Sequence, residues 1–473
     1  MSGVRAGLCA GVLSAFVGLQ IAAADVAETA IWQSRIDVAA ARGGGRVIVT
    51  SGRHLVGQLD LKSNVEIHLE KGAVLEGQTG LGHYRVTTLP YSEGTWSAVV
   101  SAIGVTNVAI TGQGEIFGNG TAWPQPAGYG GNQEGLRPRG VFFANARGVR
   151  LCDFTLRDAA CWGIVFKCCD GVVCRGLTID SHANANNDGL DIEARNVLIT
   201  DCDIDTGDDA VCIKSNDPGF VVENVIVSNV VARSNCNALK LGTASHGTMR
   251  NILFVDCRTD APRRDFKDRR EGRDRWWFVN AERAARFPGA SPSSSSASSA
   301  LCVENVDGGI VENVTFRNID ARGAKVPIFV RAGTRSGRSC GTPPSDWRIF
   351  RNIRFENVTG RAESFCASSV TGVPGCRIGD VSFRNVRIVC LGGGETSCER
   401  TRPVPEMSGD YPDAKMFGMM LPAYGLFARH VDGLTLEDVL FPLEGGTHDK
   451  REDVVMDDCR NVDLRKTTNG KDE

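Results

Sequence analysis

Apolar and polar residues alternate along most of this chain with a period of two, in short runs that open on Asn, Asp or Gly. The runs are copies of one phrase: a turn residue, Val or Ile, any residue, an apolar residue, any residue, Asn or Asp, then an apolar residue. It reads NVLITDC (196–202), NVIVSNV (224–230), NILFVDC (251–257), NVTFRNI (313–319), NIRFENV (352–358), DVSFRNV (380–386) and GLTLEDV (433–439). Weaker copies are GVRLCDF (148–154) and GVVCRGL (171–177). Alternation rich in β-branched residues marks strands, and a phrase returning every 20 to 50 residues or so marks stacked coils. Strands of a two-sheet sandwich also alternate, but nothing obliges them to repeat one phrase. The pattern predicts an all-β chain wound as a single-stranded right-handed parallel β-helix. Each strand then pairs with its equivalents above and below at about 4.8 Å, so like positions stack in columns.

Two stretches depart from this rhythm. Ala27 to Ala41 (AETAIWQSRIDVAAA) has helical periodicity and is stopped by the glycines between Arg42 and Arg46. A helix there would cap the open end of the solenoid and cover its exposed backbone edge. From about 258 to 300 the phrase is lost to a charged run, RRDFKDRREGRDRWW (263–277), and a serine tract from Ser291 to Ser299. An inserted loop is expected. Its seven basic residues against four acidic ones, with two tryptophans, suit either a solvated face or a contact with a polyanion or sugar.

Composition adds the setting. Arg5, an almost uncharged apolar run from Ala6 to Ala24 and a closing Ala-Ala-Ala before Asp25 read as a signal peptide cleaved after Ala24. That predicts export, secreted or periplasmic, of one β-helix domain over 25–473. No later stretch approaches the roughly 20 uninterrupted apolar residues of a spanning helix. A net charge of −3 gives no field favouring nucleic acid or membrane, and a monomer is expected. Of 17 cysteines, Cys9 lies in the leader; Cys168 with Cys169, Cys366 with Cys376 and Cys390 with Cys398 are candidate bridge members near loops. Cys202 and Cys257 stand where other copies carry Val, Ile or Leu and read as core thiols. No cysteine or histidine grouping has zinc spacing, so neither metal nor cofactor is expected.

The candidate chemistry lies in Asp188 of NNDGLDIE (186–193) and in Asp208 and Asp209 of TGDDAVCIKS (206–215), each at the start of a short apolar strand. Aligning inward residues gives three rungs, DGLDI from Asp188, DAVCI from Asp209 and NALKL from Asn237. Asp188, Asp209 and Asn237 then stack at the strand entrance, while Asp191 and Lys240 share an outward column with Cys212. Clustered carboxylates are costly unless they do chemistry, although solvated turn acids or a calcium site are the simpler readings. Inverting glycoside hydrolysis needs one carboxylic acid to protonate the leaving oxygen and a carboxylate to activate water. Crowding of like charge should raise the proton affinity of one member, which suits Asp208 as acid with Asp188 and Asp209 holding and deprotonating water.

With ITGQGEIFGNG (110–120), Trp123, RPRGVFF (137–143), AACWGIVF (159–166), NNDGLD (186–191), GDD (207–209) and YPDAKMFGMMLPAYGLFARHV (411–431), the chain resembles glycoside hydrolase family 28 over nearly its whole mature length. This is the family of polygalacturonases and rhamnogalacturonases. The resemblance implies a pectin-lyase-like solenoid and hydrolysis of a uronate-containing plant polysaccharide. It also implies Asp208 as general acid, Asp188 and Asp209 as water-positioning groups and Asp191 as their support. Two positions depart. The family's G-H-G is Cys236-Asn237-Ala238 here, and its carboxylate-gripping R-I-K falls on Leu301-Cys302-Val303-Glu304, which offers no basic pair. Lys240, Lys214 and Arg331, with Asn237, are candidates for binding substrate in their place, and His246 reads as a turn residue. A β-helix polysaccharide lyase and a non-catalytic carbohydrate-binding solenoid are the alternatives.

Overall fold

A computed structural model describes residues 28–124, 137–264, 296–334, 349–392 and 403–465, apart from 415, 418–420 and 446. The leader, Cys398 and nearly all of the charged run fall outside them. Among the described residues thirty strands pair into one parallel system, and a separate short antiparallel pair is formed by Thr87–Thr88 with Thr95–Trp96. The coil is a right-handed parallel β-helix, and the repeated phrase forms one of its walls. Val197, Val225, Ile252, Val314, Ile353, Val381 and Leu434 lie in register in successive turns. Two residues on, Phe254, Phe316, Phe355 and Phe383 stack inside with centroids 4.7, 5.4 and 4.8 Å apart.

The polar letters of the phrase turn the corners. Asn196, Asn224, Asn251, Asn313 and Asn352 have φ between 55° and 58°, a left-handed conformation that Asn tolerates better than most residues. The Asn or Asp five places later, as at Asp201, Asn229, Asp256 and Asn318, does the same at the next corner. Stacked corners then bond to each other, Asn224 to Asn196 at 3.1 Å and Asn318 to Asp256 at 2.8 Å. The corners thus satisfy amides that an isolated turn would leave to water.

A helix over residues 28–41 closes the first coil, as its periodicity predicts. It buries Trp32 and Ile36 in the core. Its side chains replace a missing strand: Thr29 Oγ1 accepts from Gly57 N at 2.9 Å, and Gln33 Oε1 accepts from Asp60 N at 2.7 Å. Edge amides are thereby paired without a template for further strands.

Two expectations change. The insertion is narrower than 258–300, because Arg258–Asp260 and Ala297–Asn305 are ladder strands, the second pairing Ser299 with Asn237 and Leu301 with Leu239. Serine composition hid a strand in which the Ser299 hydroxyl bonds a neighbouring side chain. Among the described residues every cysteine is a free thiol. Cys376 lies in the inner core and Cys366 in an outer cluster, on opposite sides of the wall, while Cys169 points inward and Cys168 toward Glu193 and Asp217. Cys202 and Cys257 are core thiols, as read. Among the described residues no helix is long and apolar enough to cross a membrane.

Candidate active site

One outward column runs Val165, Asp191, Cys212, Lys240, Cys302, Phe329 through successive strands. Its lower end is covered by Trp96, Phe142 and Trp162, and its upper end by a cluster of Phe329, Phe417, Leu421 and Phe427. Asp191, Cys212 and Lys240 form the floor between these aromatic walls. The aspartates stand at the strand entrances beside it. Gly189 is required there, since a Cβ would lie 2.5 Å from the carbonyl oxygen of Ala210 and force the Asp188 rung away from the next.

Every group is nearly buried: Asp188, Asp191, Asp208 and Asp209 are between 2% and 7% exposed. Asp209 Oδ1 accepts from Asn237 Nδ2 at 2.8 Å and Oδ2 accepts from Lys240 Nζ at 2.9 Å. Burial would push its proton affinity up, but Lys240, Lys214 and those hydrogen bonds prevail and hold it below the ordinary carboxylate range. Among the described residues no cation is bonded to Asp208. Burial and the Asp209 charge push it up to about 6, despite a 2.9 Å hydrogen bond from the Asp209 amide to its Oδ1. Adjacent residues of one sequence are thus split in opposite directions.

The second cation serves the lower rung. Lys214 Nζ lies 2.8 Å from Asp191 Oδ1, 3.4 Å from Asp188 Oδ2 and 3.7 Å from the centroid of Trp162. Asp191 still rises to about 6 through burial, and Asp188 rises well above its usual value through burial, Asp191 and Asp208. Asp188 Oδ1 is buried with no hydrogen-bond partner among the described residues, the state expected of an acceptor facing a water or substrate hydroxyl.

Asn237, where the resemblance leads one to expect histidine, is held in a relay. Ser299 Oγ donates to Asn237 Oδ1 at 2.6 Å, which fixes the amide so that its nitrogen faces Asp209. Ser299 was missed in the serine tract and has no sequence signal of its own. Cys236 completes the surroundings; its sulfur and the Asp208 and Asp209 carboxylates lie within 4.8 Å of one another, which could hold a soft cation. Both Asp209 oxygens already accept hydrogen bonds, so such an ion would have to displace the Lys240 ammonium.

The sequence reading places Arg331 against substrate, and the structure commits it elsewhere. It stacks between Glu304 and Thr371 in the neighbouring column, is 1% exposed, and donates to the carbonyls of Glu406 and Met407 at 2.7 and 3.0 Å. Arg429, in the same column, holds Val404 and Pro405 at 2.6 and 2.9 Å. The pair anchors the segment that leads to the upper aromatic wall. His246 sits 3.6 Å from Asp307 beyond the strand. A buried His182–Asp205 pair at 2.8 Å, whose imidazole also meets Asn235 at 3.1 Å, was not foreseen because its members are 23 residues apart.

Comparison with known proteins bears on this geometry. The model of Glycosyl hydrolases family 28 matches residues 41–251 and 303–408, more than half of the chain. A probable polygalacturonase of Vitis vinifera is 27% identical over 232 residues, covering 45% of this chain and 47% of that protein. Exopolygalacturonase B of Aspergillus niger is 23% identical over 358 residues, covering 71% and 72%. The chain spans about half the length or less of the plant relatives it matches. Among solved structures, the family 28 exopolygalacturonase of Yersinia enterocolitica superposes with TM-score 0.65 at 19% identity, over 92% of this chain and 75% of that one. The exopolygalacturonase of Thermotoga maritima gives 0.61 at 21%, over 76% and 82%.

Proposed function

The chain belongs to glycosyl hydrolases family 28, and from that membership we propose that it is an inverting glycoside hydrolase acting on pectin-type polysaccharide. The observation that carries the reading is the opposite displacement of Asp208 and Asp209. Below about pH 6 Asp208 holds a proton that it can donate to the leaving glycosidic oxygen, while Asp209 stays ionised and takes a proton from the attacking water. Asp188, with its unpartnered oxygen, orients that water, and Lys214 steadies the Asp188–Asp191 pair. Asn237 and Lys240 keep Asp209 ionised until the water has lost its proton.

The lyase alternative needs a basic side chain to remove a carbon-bound proton. Lys214 and Lys240 are each salt-bridged to the aspartates and held as ammoniums, their affinity for protons raised well above normal by those neighbours despite burial. Nuclear magnetic resonance of freshly released reducing ends should show the anomer inverted from the α-linked substrate, with no ultraviolet band of an unsaturated uronate. A retained anomer or that band would overturn the proposal. Export belongs to the same proposal, supported by the leader-like composition of residues 1–24. Amino-terminal sequencing of protein recovered outside the cytoplasm should begin at Asp25.

A further inference from the structure

A floor that grips a uronate must offer a cation not already matched by protein carboxylates. Among the described residues the two ammoniums of this floor are matched more than once. Lys240 faces Asp209 at 2.9 Å and Glu304 at 3.7 Å. Lys214 faces Asp191 at 2.8 Å and Asp188 at 3.4 Å, and Glu93 adds its field to the same ammonium. With Asp208, six carboxyl groups surround two lysines. The next rung supplies no relief, because Lys240 is followed in its column by Cys302, and Glu304 extends the carboxylate side.

Glu304 is the telling residue. It is 2% exposed, its Oε1 accepts from the Cys302 thiol at 3.4 Å, and its Oε2 lies 3.7 Å from the Lys240 ammonium. A buried carboxyl of this kind, its proton affinity raised by burial, stands where the family resemblance leads one to expect the gripping cations; it repels a second carboxylate when ionised and offers it no cation in either state. Arg331, the nearest arginine in that column, is turned to backbone carbonyls instead.

We infer that the sugar seated over the Asp191–Cys212–Lys240 floor carries no charge, so that the bond cleaved joins an uncharged glycosyl unit, neutral or esterified, to the rest of a pectic chain. The inference rests on the hydrolase reading above. It narrows the substrate from uronate polymers in general to those with at least one uncharged residue flanking the scissile bond. Like charges about 5 Å apart in a partly buried site, where the effective dielectric is near 20, repel strongly enough to disfavour a free uronate by roughly 100-fold or more.

The test compares kcat/KM for three substrates of matched length: an oligogalacturonate, its fully methyl-esterified form, and an oligosaccharide alternating rhamnose with galacturonate. At least one of the last two should exceed the free acid by 100-fold or more. Equal or faster cleavage of the free oligogalacturonate would overturn the inference and leave the hydrolase reading standing, whereas cleavage of none would overturn both. Glu304→Lys should raise kcat/KM for the free acid at least tenfold. Glu304→Gln, which removes the repulsion without adding charge, should raise it less and guards against misfolding of the first variant. Unchanged selectivity in both folded variants would also contradict the inference.

Discussion

Two sets of stacked charges decorate the outside of this solenoid, and they obey the same register rule with opposite consequences. On the wall built from the repeated phrase, Arg351 meets Glu312 at 3.0 Å and Arg250 meets Glu223 at 2.7 Å, with the arginines 55% and 42% exposed. On the floor of the groove Lys240 meets Asp209 at 2.9 Å with both side chains 6% exposed or less. Water screens the first set, so each of those pairs contributes little. The second set is out of water, where unequal pairing shifts proton affinities and divides neighbouring carboxyls into acid and base. Stacking brings charges together on both walls. Burial by the two aromatic clusters turns one of them into a site.

The contrast can be broken or sharpened by substitution, with effects that should fall in a fixed order. Asp208→Asn, which removes the acid but keeps its shape, should cut kcat by roughly 10²- to 10⁴-fold while leaving oligosaccharide affinity within a few-fold, read by steady-state kinetics and calorimetric titration. Lys240→Met should cost about 3–5 kcal/mol in urea unfolding, because it leaves Asp209 as a buried charge without its bonded cation. In the wild type Asp209 is held below its unfolded value, so its contribution to stability is present at neutral pH and lost as pH falls through that depressed value. The difference between the two proteins should therefore shrink in acid, and the acid limb of the variant's pH–rate profile should move to higher pH.

Ser299→Ala should cost about 1–3 kcal/mol and lower kcat roughly tenfold, since the Asn237 amide loses the donor that orients it, and Ser299→Thr should restore both. Arg351→Met, the control from the exposed wall, should change stability by about 0–1 kcal/mol and leave turnover unaltered. A loss at Arg351 as large as at Lys240 would erase the distinction between the walls.

What could be read from the sequence follows the same divide. The coil was legible because its turns demand Asn or Asp at left-handed corners and its core demands alternation, so each copy of the phrase restates the fold. The rungs of Leu190, Val211 and Leu239 and of Ile192, Ile213 and Leu241 pair as the alignment requires, which carried Asp191 and Lys240 to one column with Cys212. Ser299 was not legible, because a serine tract reads as a loop until its hydroxyl is seen bonding Asn237. Arg331 was misplaced because period-two reasoning says that a residue faces outward without saying what covers it. The chain from 403 onward crosses that face, and its carbonyls take the guanidinium. The bridge read from the spacing of Cys366 and Cys376 failed for a related reason, since proximity in sequence ignores which side of the wall each sulfur occupies.

The split between Asp208 and Asp209 is tested most directly by the pH dependence of kcat/KM in the wild-type enzyme and in Lys240→Met. The account predicts a bell whose basic limb falls near pH 6 as Asp208 loses its proton, and whose acid limb, set by Asp209, moves upward in the variant. A rate that stays level above pH 6, or an acid limb indifferent to the loss of Lys240, would contradict it.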